Sequence, residues 1–263
     1  MEDFTQAAYA GQQAGSLRSA EEIVPLIIDL VRPRSVIDVG CGVGTWLSVF
    51  QSAGIGDIMG LDGGHVDPRW LTISPERFQA HDLTQPVSLP RQFDLVVSLE
   101  VAEHLPGAVA AGFVKSLTRL GPVILFSAAV PQQCGFSHLN EQWPEYWASL
   151  FRNENYVAVD CLRHRLWDNE RVEWWYRQNT VFFVRRDRLA DYPALNEHAA
   201  PDADAPSALV HPMLYLQNRW ATDPLHWSVR YAWGVFCDVA KRALIRKLSF
   251  FRRPKVSQTR RCA

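Results

Sequence analysis

The sequence has few cysteines, and their spacing would not build a cross-linked or zinc-bound scaffold. The five are odd in number and scattered over 263 residues: Cys41, Cys134, Cys161, Cys237 and Cys262. Disulfide frameworks and zinc sites place cysteines in pairs at short spacing, so neither is predicted. Free thiols are typical of the reducing cytoplasm, and this is the location that the sequence predicts.

The sequence also lacks long apolar runs, internal repeats and low-complexity tracts. A membrane-spanning helix requires roughly eighteen uninterrupted apolar residues, and no window reaches that length. The opening residues MEDFTQAAYAG are acidic and have no apolar core, so we do not expect a signal peptide. With 48% hydrophobic residues, the chain can form one large α/β domain with an appendage, or two small domains.

Positive and negative charges nearly balance, but they are unevenly distributed. The segment from Lys241 to the end holds nine Lys and Arg and no acidic residue, and the rest has 18 basic and 28 acidic residues. The body of the protein is therefore acidic, and its C-terminal tail is basic. Nucleic-acid binding needs a basic surface, so the acidic body argues against a nucleic-acid substrate.

Short apolar segments and helical patterns follow one another through the middle of the chain. The apolar segments lie at 35–39, 57–62, 78–83, 93–99, 122–130, 156–167 and 179–186, and helical patterns lie at 44–54, 108–119 and 142–153. Strands that alternate with helices predict a parallel sheet covered on both faces. Only a short Trp-rich segment separates the last two strands, so we predict that they pair antiparallel.

The pattern predicts four regions. Ser19 and Glu22 have the spacing of a capping box, which predicts a helix that begins there and ends near Arg32. A segment rich in Ala, Pro and Asp has the composition of a linker. The regions are an N-terminal helical lead-in at 1–34, a catalytic domain at 35–186, a linker at 187–225 and a C-terminal helix and tail at 226–263.

The last region has the pattern of a basic amphipathic helix. Apolar residues recur at spacings of three and four between 226 and 251, with Lys and Arg around them. Such a helix suits peripheral attachment to the anionic inner face of a cytoplasmic membrane. It equally suits packing on the catalytic domain or a homodimer contact.

The most informative motif is VIDVGCGVGTWL at 36–47, where a strand runs into three glycines and then a helix. Glycine permits a tight turn and lets backbone N–H groups approach a ligand closely. By itself, this pattern also fits an ordinary strand-to-helix turn. Asp62 and Asp82 close the next two strands, and the carboxyl ends of parallel strands form the ligand-binding edge of such sheets.

Taken together, these residues resemble class I S-adenosylmethionine-dependent methyltransferases over about residues 15–186. The resemblance implies an α/β fold with a doubly wound, mostly parallel, Rossmann-like seven-stranded sheet and a helical C-terminal extension. It places Asp62 at the ribose, and Asp82 with Leu83 at the adenine. The implied cofactor-binding set is Asp38, Gly40, Cys41, Gly42, Gly44, Asp62, Asp82, Leu83 and Glu100. The alternative is a cofactor-binding scaffold that transfers no methyl group.

SLEVAEHL at 98–105 places Glu100, Glu103 and His104 directly after a buried strand. In a helical turn, residues three and four apart share one face, and His138 follows in a later loop. These four residues resemble the Glu, Glu, His, His metal site of small-RNA 2′-O-methyltransferases. The Glu-x-x-Glu-His part is similar to metal-dependent O-methyltransferases of ubiquinone synthesis. The resemblance implies Mg²⁺ or Mn²⁺ bound to vicinal oxygens of the substrate.

Other roles for these residues stay open. Without a metal, His138, His104 or Glu141 would be the general base that removes the hydroxyl proton. The carboxylates would then cap a helix or bind the cofactor through water.

The sequence contains ten tryptophans, and several fall near the predicted opening, where they could pack on sugar rings or simply fill the core. Three segments, RSAEEIVPLIIDLVRPRSVIDVGCG, GFSHLNEQWPEYW and EWWYRQNTVFFV, resemble bacterial methyltransferases of surface-polysaccharide and glycan synthesis. This resemblance implies O-methylation of a sugar hydroxyl on a free or lipid-linked glycan. A phenol- or quinone-type metabolite and an RNA 2′-hydroxyl are the alternative acceptors.

Overall fold

The structure is a computed structural model that describes residues 6–135, 137–199 and 206–222, together with Trp233 and Phe236. The chain divides into two compact units, Met1–Leu214 and Tyr215–Ala263. No helix among the described residues is long and apolar enough to cross a membrane.

Seven short strands form one sheet in the first unit. They are β1 (Ser35–Val39), β2 (Asp57–Asp62), β3 (Phe78–Ala80), β4 (Leu95–Leu99), β5 (Val123–Ser127), β6 (Tyr156–Val159) and β7 (Val181–Arg185). Their order is β3-β2-β1-β4-β5-β7-β6. Neighbouring strands are parallel, except that β7 is antiparallel to both β5 and β6. The predicted mostly parallel, seven-stranded sheet is confirmed.

Helices cover both faces of this sheet. They are α1 (Gln6–Val31), α2 (Thr45–Ser52), α3 (Ala110–Leu120), α4 (Pro144–Asn153), α5 (Arg163–Leu166), α6 (Trp174–Asn179) and α7 (Pro193–Asn196). A further helix, α8 (Pro212–Thr222), follows in the chain. One buried apolar cluster includes α1 and α2, and the other includes α3 and α4. Val36 and Ile37, which are consecutive in β1, enter different clusters because side chains alternate across a strand. The sheet is therefore doubly wound.

The first helix does not begin at the predicted capping box. Ser19 is fully buried inside α1, where its hydroxyl donates to the carbonyl of Gly15 at 2.8 Å. The same hydroxyl accepts the backbone N–H of Glu173 at 2.9 Å. The position of Ser19 reflects a contact with a distant segment and not the start of a helix, so this prediction is wrong.

The strand predicted at 156–167 is shorter in the structure. It ends at Val159, and α5 follows because Arg163 is fully buried and pairs with Asp160. The predicted antiparallel pairing of the last two strands is confirmed, although two short helices lie between them.

The region predicted as a linker is partly folded. Residues 186–191 form 3-10 turns, α7 buries Leu195 completely, and α8 begins at Pro212. The first compact unit extends to Leu214, well beyond the predicted domain end at residue 186. Short helices therefore lie within the range predicted as a linker, because buried apolar contacts at Leu195 and Leu214 outweigh the Pro- and Ala-rich composition.

Most of the predicted C-terminal amphipathic helix lies outside the described residues. Of that region the structure describes Trp233 and Phe236, whose rings stack with centroids 5.6 Å apart. Both side chains are exposed. They belong to the second compact unit.

Candidate functional site

The glycine loop lies between β1 and α2, at the carboxyl end of the sheet. Gly40, Gly42 and Gly44 have φ values of 87°, 54° and 86°, which L-residues with a side chain rarely adopt. The backbone N–H groups of Gly40 and Cys41 donate to the carbonyl of Leu61, at 2.7 and 3.1 Å. These bonds hold the loop across the end of β2.

We expect Gly40→Ala to damage the loop more than a glycine substitution elsewhere. A Cβ atom at Gly40 would lie 2.3 Å from Cγ2 of Val101, in addition to the strain of a positive φ. Gly54→Ala is the matched control, because Gly54 also has a positive φ but a Cβ there meets nothing within 4 Å. Calorimetric titration with S-adenosylhomocysteine should show lost affinity for Gly40→Ala alone. Equal losses in both variants would contradict the steric explanation.

Asp62 joins the glycine loop to β2. Its carboxylate is buried and accepts the backbone N–H groups of Gly42 and Gly63, both at 2.6 Å. Asp38 is also buried, and burial, followed by the negative charge of Asp62, raises the pKa of Asp38. Burial, reinforced by the same two carboxylates, raises the pKa of Cys41. Cys41 is therefore a protonated, packed thiol and not a nucleophile.

Asp82 and Leu83 follow β3, next to the end of β2. Asp82 is exposed and accepts the hydroxyl and backbone N–H groups of Thr84, at 2.7 and 2.9 Å, and these bonds lower the pKa of Asp82. Leu83 is buried. The N–H of His81 donates to the carbonyl of Asp62 at 2.7 Å. The fold therefore places three predicted cofactor carboxylates, Asp38, Asp62 and Asp82, near the ends of adjacent strands.

Glu100 does not share a helical face with Glu103 and His104. It has a left-handed backbone, with φ of 54°, and its N–H is held by Ser127 at the end of β5. Its carboxylate accepts the side-chain amides of Gln133 at 2.8 Å and Asn179 at 3.1 Å. Glu100 does not belong to the metal-ligand group found among the described residues, although its carboxyl group still interacts with that of Glu103.

The two amides that bond Glu100, those of Gln133 and Asn179, bond to each other and to a third amide, Gln178. Oε1 of Gln133 accepts Nδ2 of Asn179 at 2.9 Å and Nε2 of Gln178 at 3.2 Å. Gln178 also accepts the N–H of His211 at 2.7 Å. The sequence motif identifies Glu100 but not Gln133, because the loop after β5 has no periodic signal. Asn179 bonds Glu100 directly, and Gln178 bonds both Asn179 and Gln133.

Glu103 lies in the 3-10 turn Ala102–His104 and is completely buried. Neither carboxylate oxygen has a hydrogen-bond partner of standard geometry among the described residues, although the backbone groups of Glu103 and Ala129 partly offset the effect of burial on its pKa. Burial, followed by the negative charge of Glu100, raises the pKa of Glu103. A buried carboxylate without donors is unfavourable unless a proton or a cation neutralises it.

Two histidines lie beside Glu103. The backbone N–H groups of Leu139 and Asn140 donate to the carbonyl of Glu103, at 2.7 and 3.0 Å, and dock the loop that carries His138. The rings of His104 and His138 meet edge to face, with centroids 4.9 Å apart. The ligand atoms of Glu103, His104 and His138 all lie within 4.8 Å of one another. One carboxylate and two imidazoles at this separation fit a divalent metal ion.

Glu141 positions His138 and the loop around it. Its carboxylate accepts the backbone N–H groups of Gln132 at 2.7 Å and Cys134 at 2.8 Å. It also lies 2.8 Å from Nδ1 of His138. When Nδ1 donates to Glu141, the lone pair of Nε2 is left for a ligand, an arrangement common for metal-binding histidines. The contacts of Glu141 therefore suit a positioning residue better than a general base.

The tryptophans near the opening divide into buried and exposed residues. Trp147 and Trp174 are 3% and 8% exposed and fill the interior. Trp143, at the start of α4, is 43% exposed, and Leu139 beside His138 is 64% exposed. The predicted sugar contact is therefore excluded for the two interior tryptophans and stays open for Trp143.

Residues 12–187 match the family described as "Methyltransferase domain". This range includes the glycine loop, all seven strands and the candidate metal group, and it is more than half of the chain. The chain belongs to this methyltransferase family. Its methyl donor is S-adenosylmethionine.

Among curated proteins, the methyltransferase is similar to the ubiquinone biosynthesis O-methyltransferase of Methylococcus capsulatus. The two are 28% identical over 130 residues, which cover 43% of this chain and 53% of that protein. The chain therefore spans about half the length of this curated relative.

Of the two solved structures described next, the first supports the fold. The sugar N-methyltransferase KedS8 of a Streptoalloteichus species matches with a TM-score of 0.54 and 16% identity, over 71% of this chain and 94% of that one. DesVI of Streptomyces venezuelae matches with a TM-score of 0.39 and 24% identity, over 48% of this chain and 57% of that one.

Proposed function

We propose that this methyltransferase transfers a methyl group to a sugar hydroxyl of a glycan, and that Glu103, His104 and His138 bind a divalent ion for this reaction. The observation that carries the metal proposal is the carboxylate of Glu103. It is 0% exposed, has no donor among the described residues and lies with two imidazoles within 4.8 Å. A cation would neutralise its charge.

The ligand types favour Mn²⁺ over Mg²⁺. Mg²⁺ prefers a shell of oxygen ligands, whereas two of the three residues here offer imidazole nitrogen. An ion in this position would polarise the acceptor hydroxyl and lower its pKa. Three protein ligands would leave coordination positions open for substrate oxygens.

The residues around the metal group orient the two substrates, and the acceptor hydroxyl must also lose its proton. In this proposal, the glycine loop and Asp62 bind the methyl donor, S-adenosylmethionine, at the end of β1. Glu141 positions His138 through its contact with Nδ1. In the reaction the methyl carbon leaves sulfur and bonds to the acceptor oxygen, and the S–C electron pair stays on sulfur. The hydroxyl proton passes to water at the exposed side of His104. The products are the methyl ether and S-adenosylhomocysteine.

A glycan acceptor is supported by the rim next to the metal group. Leu139 and Trp143 belong to the loop that carries His138, and both side chains are largely exposed. An aromatic face of this kind can pack on the apolar face of a sugar ring. A phenol- or quinone-type acceptor is the second candidate, because the curated relative from Methylococcus capsulatus is a ubiquinone biosynthesis enzyme.

Transfer of a labelled methyl group tests the proposed function. The enzyme, with Mn²⁺ or with EDTA, would be given a cell-envelope polysaccharide extract, catechol or total RNA. We expect Mn²⁺-dependent labelling of the polysaccharide, in an alkali-stable form typical of an ether. Labelling of catechol alone would favour the phenol- or quinone-type acceptor over the glycan. Labelling of RNA would contradict both of these acceptors. Undiminished labelling of the polysaccharide in EDTA would contradict the role of the metal.

A further inference from the structure

Asn140 lies beside the candidate metal group and has a buried hydrogen-bond donor without a partner. The residue is 6% exposed, and its Nδ2 makes no hydrogen bond with the described residues. Its backbone N–H donates to the carbonyl of Glu103 at 3.0 Å. Asn140 is therefore docked on the turn that supplies Glu103 and His104. An unpaired buried amide is uncommon and suggests a partner that the protein itself does not supply.

The orientation of this amide follows from its other contacts. Oδ1 accepts Nε2 of Gln142 at 2.9 Å, and Gln142 is itself anchored because its backbone N–H donates to Ala129 at 3.1 Å. Gly107 leaves room for the amide, since a Cβ there would lie 3.2 Å from Oδ1 of Asn140. With Oδ1 held by Gln142, Nδ2 is the atom left to donate to a ligand.

We propose that Nδ2 of Asn140 donates a hydrogen bond to the acceptor oxygen of the sugar as that oxygen loses its proton. This inference rests on the proposed function of the Glu103, His104 and His138 group. Negative charge develops on the acceptor oxygen while the S–CH₃ bond breaks and the O–CH₃ bond forms. A fixed hydrogen-bond donor to this oxygen stabilises the charge without reorganisation, and its effect is largest in the transition state.

Two substitutions at Asn140 test the donor. Asn140→Asp keeps an oxygen towards Gln142 but replaces the open donor with an acceptor, and Asn140→Ala removes both atoms. We expect each to lower kcat about a hundredfold on the polysaccharide extract, with KM for the extract nearly unchanged. In Asn140→Ala, the affinities for Mn²⁺, measured by paramagnetic resonance, and for S-adenosylhomocysteine should stay within about twofold of the wild type.

Two control variants distinguish the loss of the Nδ2 donor from a general disturbance of the loop that carries His138 and Asn140. Gln142→Ala frees Oδ1 but keeps the donor atom Nδ2 in the protein, so its kcat should fall clearly less than that of the two Asn140 variants. Asn196→Ala changes an exposed asparagine in α7 and should behave as the wild type. The Tm of metal-free Asn140→Ala should fall no further than that of Gln142→Ala, because Nδ2 has no partner to lose.

The possible results are distinct. A kcat for Asn140→Asp or Asn140→Ala within about threefold of the wild type would overturn the donor role and leave the proposed function standing. A parallel loss of Mn²⁺ affinity and Tm in Asn140→Ala would also overturn it, because Asn140 would then only hold the loop. Failure of the wild type to label the polysaccharide with Mn²⁺ would overturn the proposed function and this inference together.

Discussion

Glu103→Gln is expected to abolish methyl transfer and to stabilise the metal-free protein. The carboxylate of Glu103 is completely buried without a donor, so its charge is unfavourable until a cation binds. Glutamine has nearly the same shape and carries no charge. In EDTA at pH 8, we expect the variant to melt about 2–6 °C above the wild type. With Mn²⁺, its activity should be at least about a hundredfold lower.

Mn²⁺ should reverse the order of the two melting temperatures. A ligand present at a hundred times its Kd stabilises a protein by about 2.7 kcal/mol, which corresponds to roughly 5–10 °C here. The wild type should gain this amount and Glu103→Gln should gain nothing. Glu145→Gln, which neutralises an exposed carboxylate at the start of α4, is the control and should keep the wild-type response. Equal Mn²⁺ responses in all three proteins would exclude Glu103 as a ligand.

The same carboxylate predicts the direction of the pH dependence. Its pKa in the folded protein is raised above the ordinary value of 4.5, so the folded state binds this proton more tightly than the unfolded state. The resulting contribution of Glu103 to the free energy of unfolding is fully present below pH 4.5. It is lost as the pH rises through the pKa of the folded state. The metal-free wild type should therefore lose more stability on going from pH 5 to pH 8 than Glu103→Gln does. Asp38, whose pKa is also raised, contributes equally to both proteins. Glu100 interacts with residue 103, so its contribution differs between them and is part of the expected difference.

The positions of the strands could be predicted because their signals are local. Each apolar segment is short and bounded by turn residues, and the short spacer before β7 predicts its antiparallel pairing. The start of α1 could not be predicted in this way. Ser19 and Glu22 have the spacing of a capping box, but the partner of Ser19 is Glu173, which is 154 residues away. A local pattern does not report such a contact.

In the candidate site, too, local relations could be predicted from the sequence and contacts between distant segments could not. Glu103 and His104 were predicted together because they are adjacent in one turn, and His138 was added because the set resembles the metal site of small-RNA 2′-O-methyltransferases. Glu100 was expected to join them by helical spacing, yet its left-handed backbone and its amide partners place it in another network. Those partners come from β5, α6 and the loop after β5, so their convergence depends on the completed fold.

Asp62→Asn, at the end of β2, is expected to weaken cofactor binding, whereas Asp57→Asn at the start of the same strand is not. Both carboxylate oxygens of Asp62 accept short bonds, from Gly42 and Gly63. An asparagine must turn its NH₂ group towards one of these N–H donors, which leaves that donor unpaired and costs about 1–3 kcal/mol. The loop then loses its anchor and the ribose loses its charged acceptor. We expect S-adenosylhomocysteine to bind at least about a hundredfold more weakly in calorimetric titrations with EDTA.

Asp57→Asn is the matched control because Asp57 begins the same strand, β2, at the opposite edge of the sheet. Asp57 forms a partly exposed ion pair with Arg91 at 2.7 Å, and pairs of this kind contribute little to stability. Its affinity for S-adenosylhomocysteine should therefore equal that of the wild type. A similar loss in both variants would mean that the substitutions act through the strand and not through the ligand. Retained affinity in Asp62→Asn would remove Asp62 from the cofactor site, and the glycine loop would then have to hold the donor through its backbone alone.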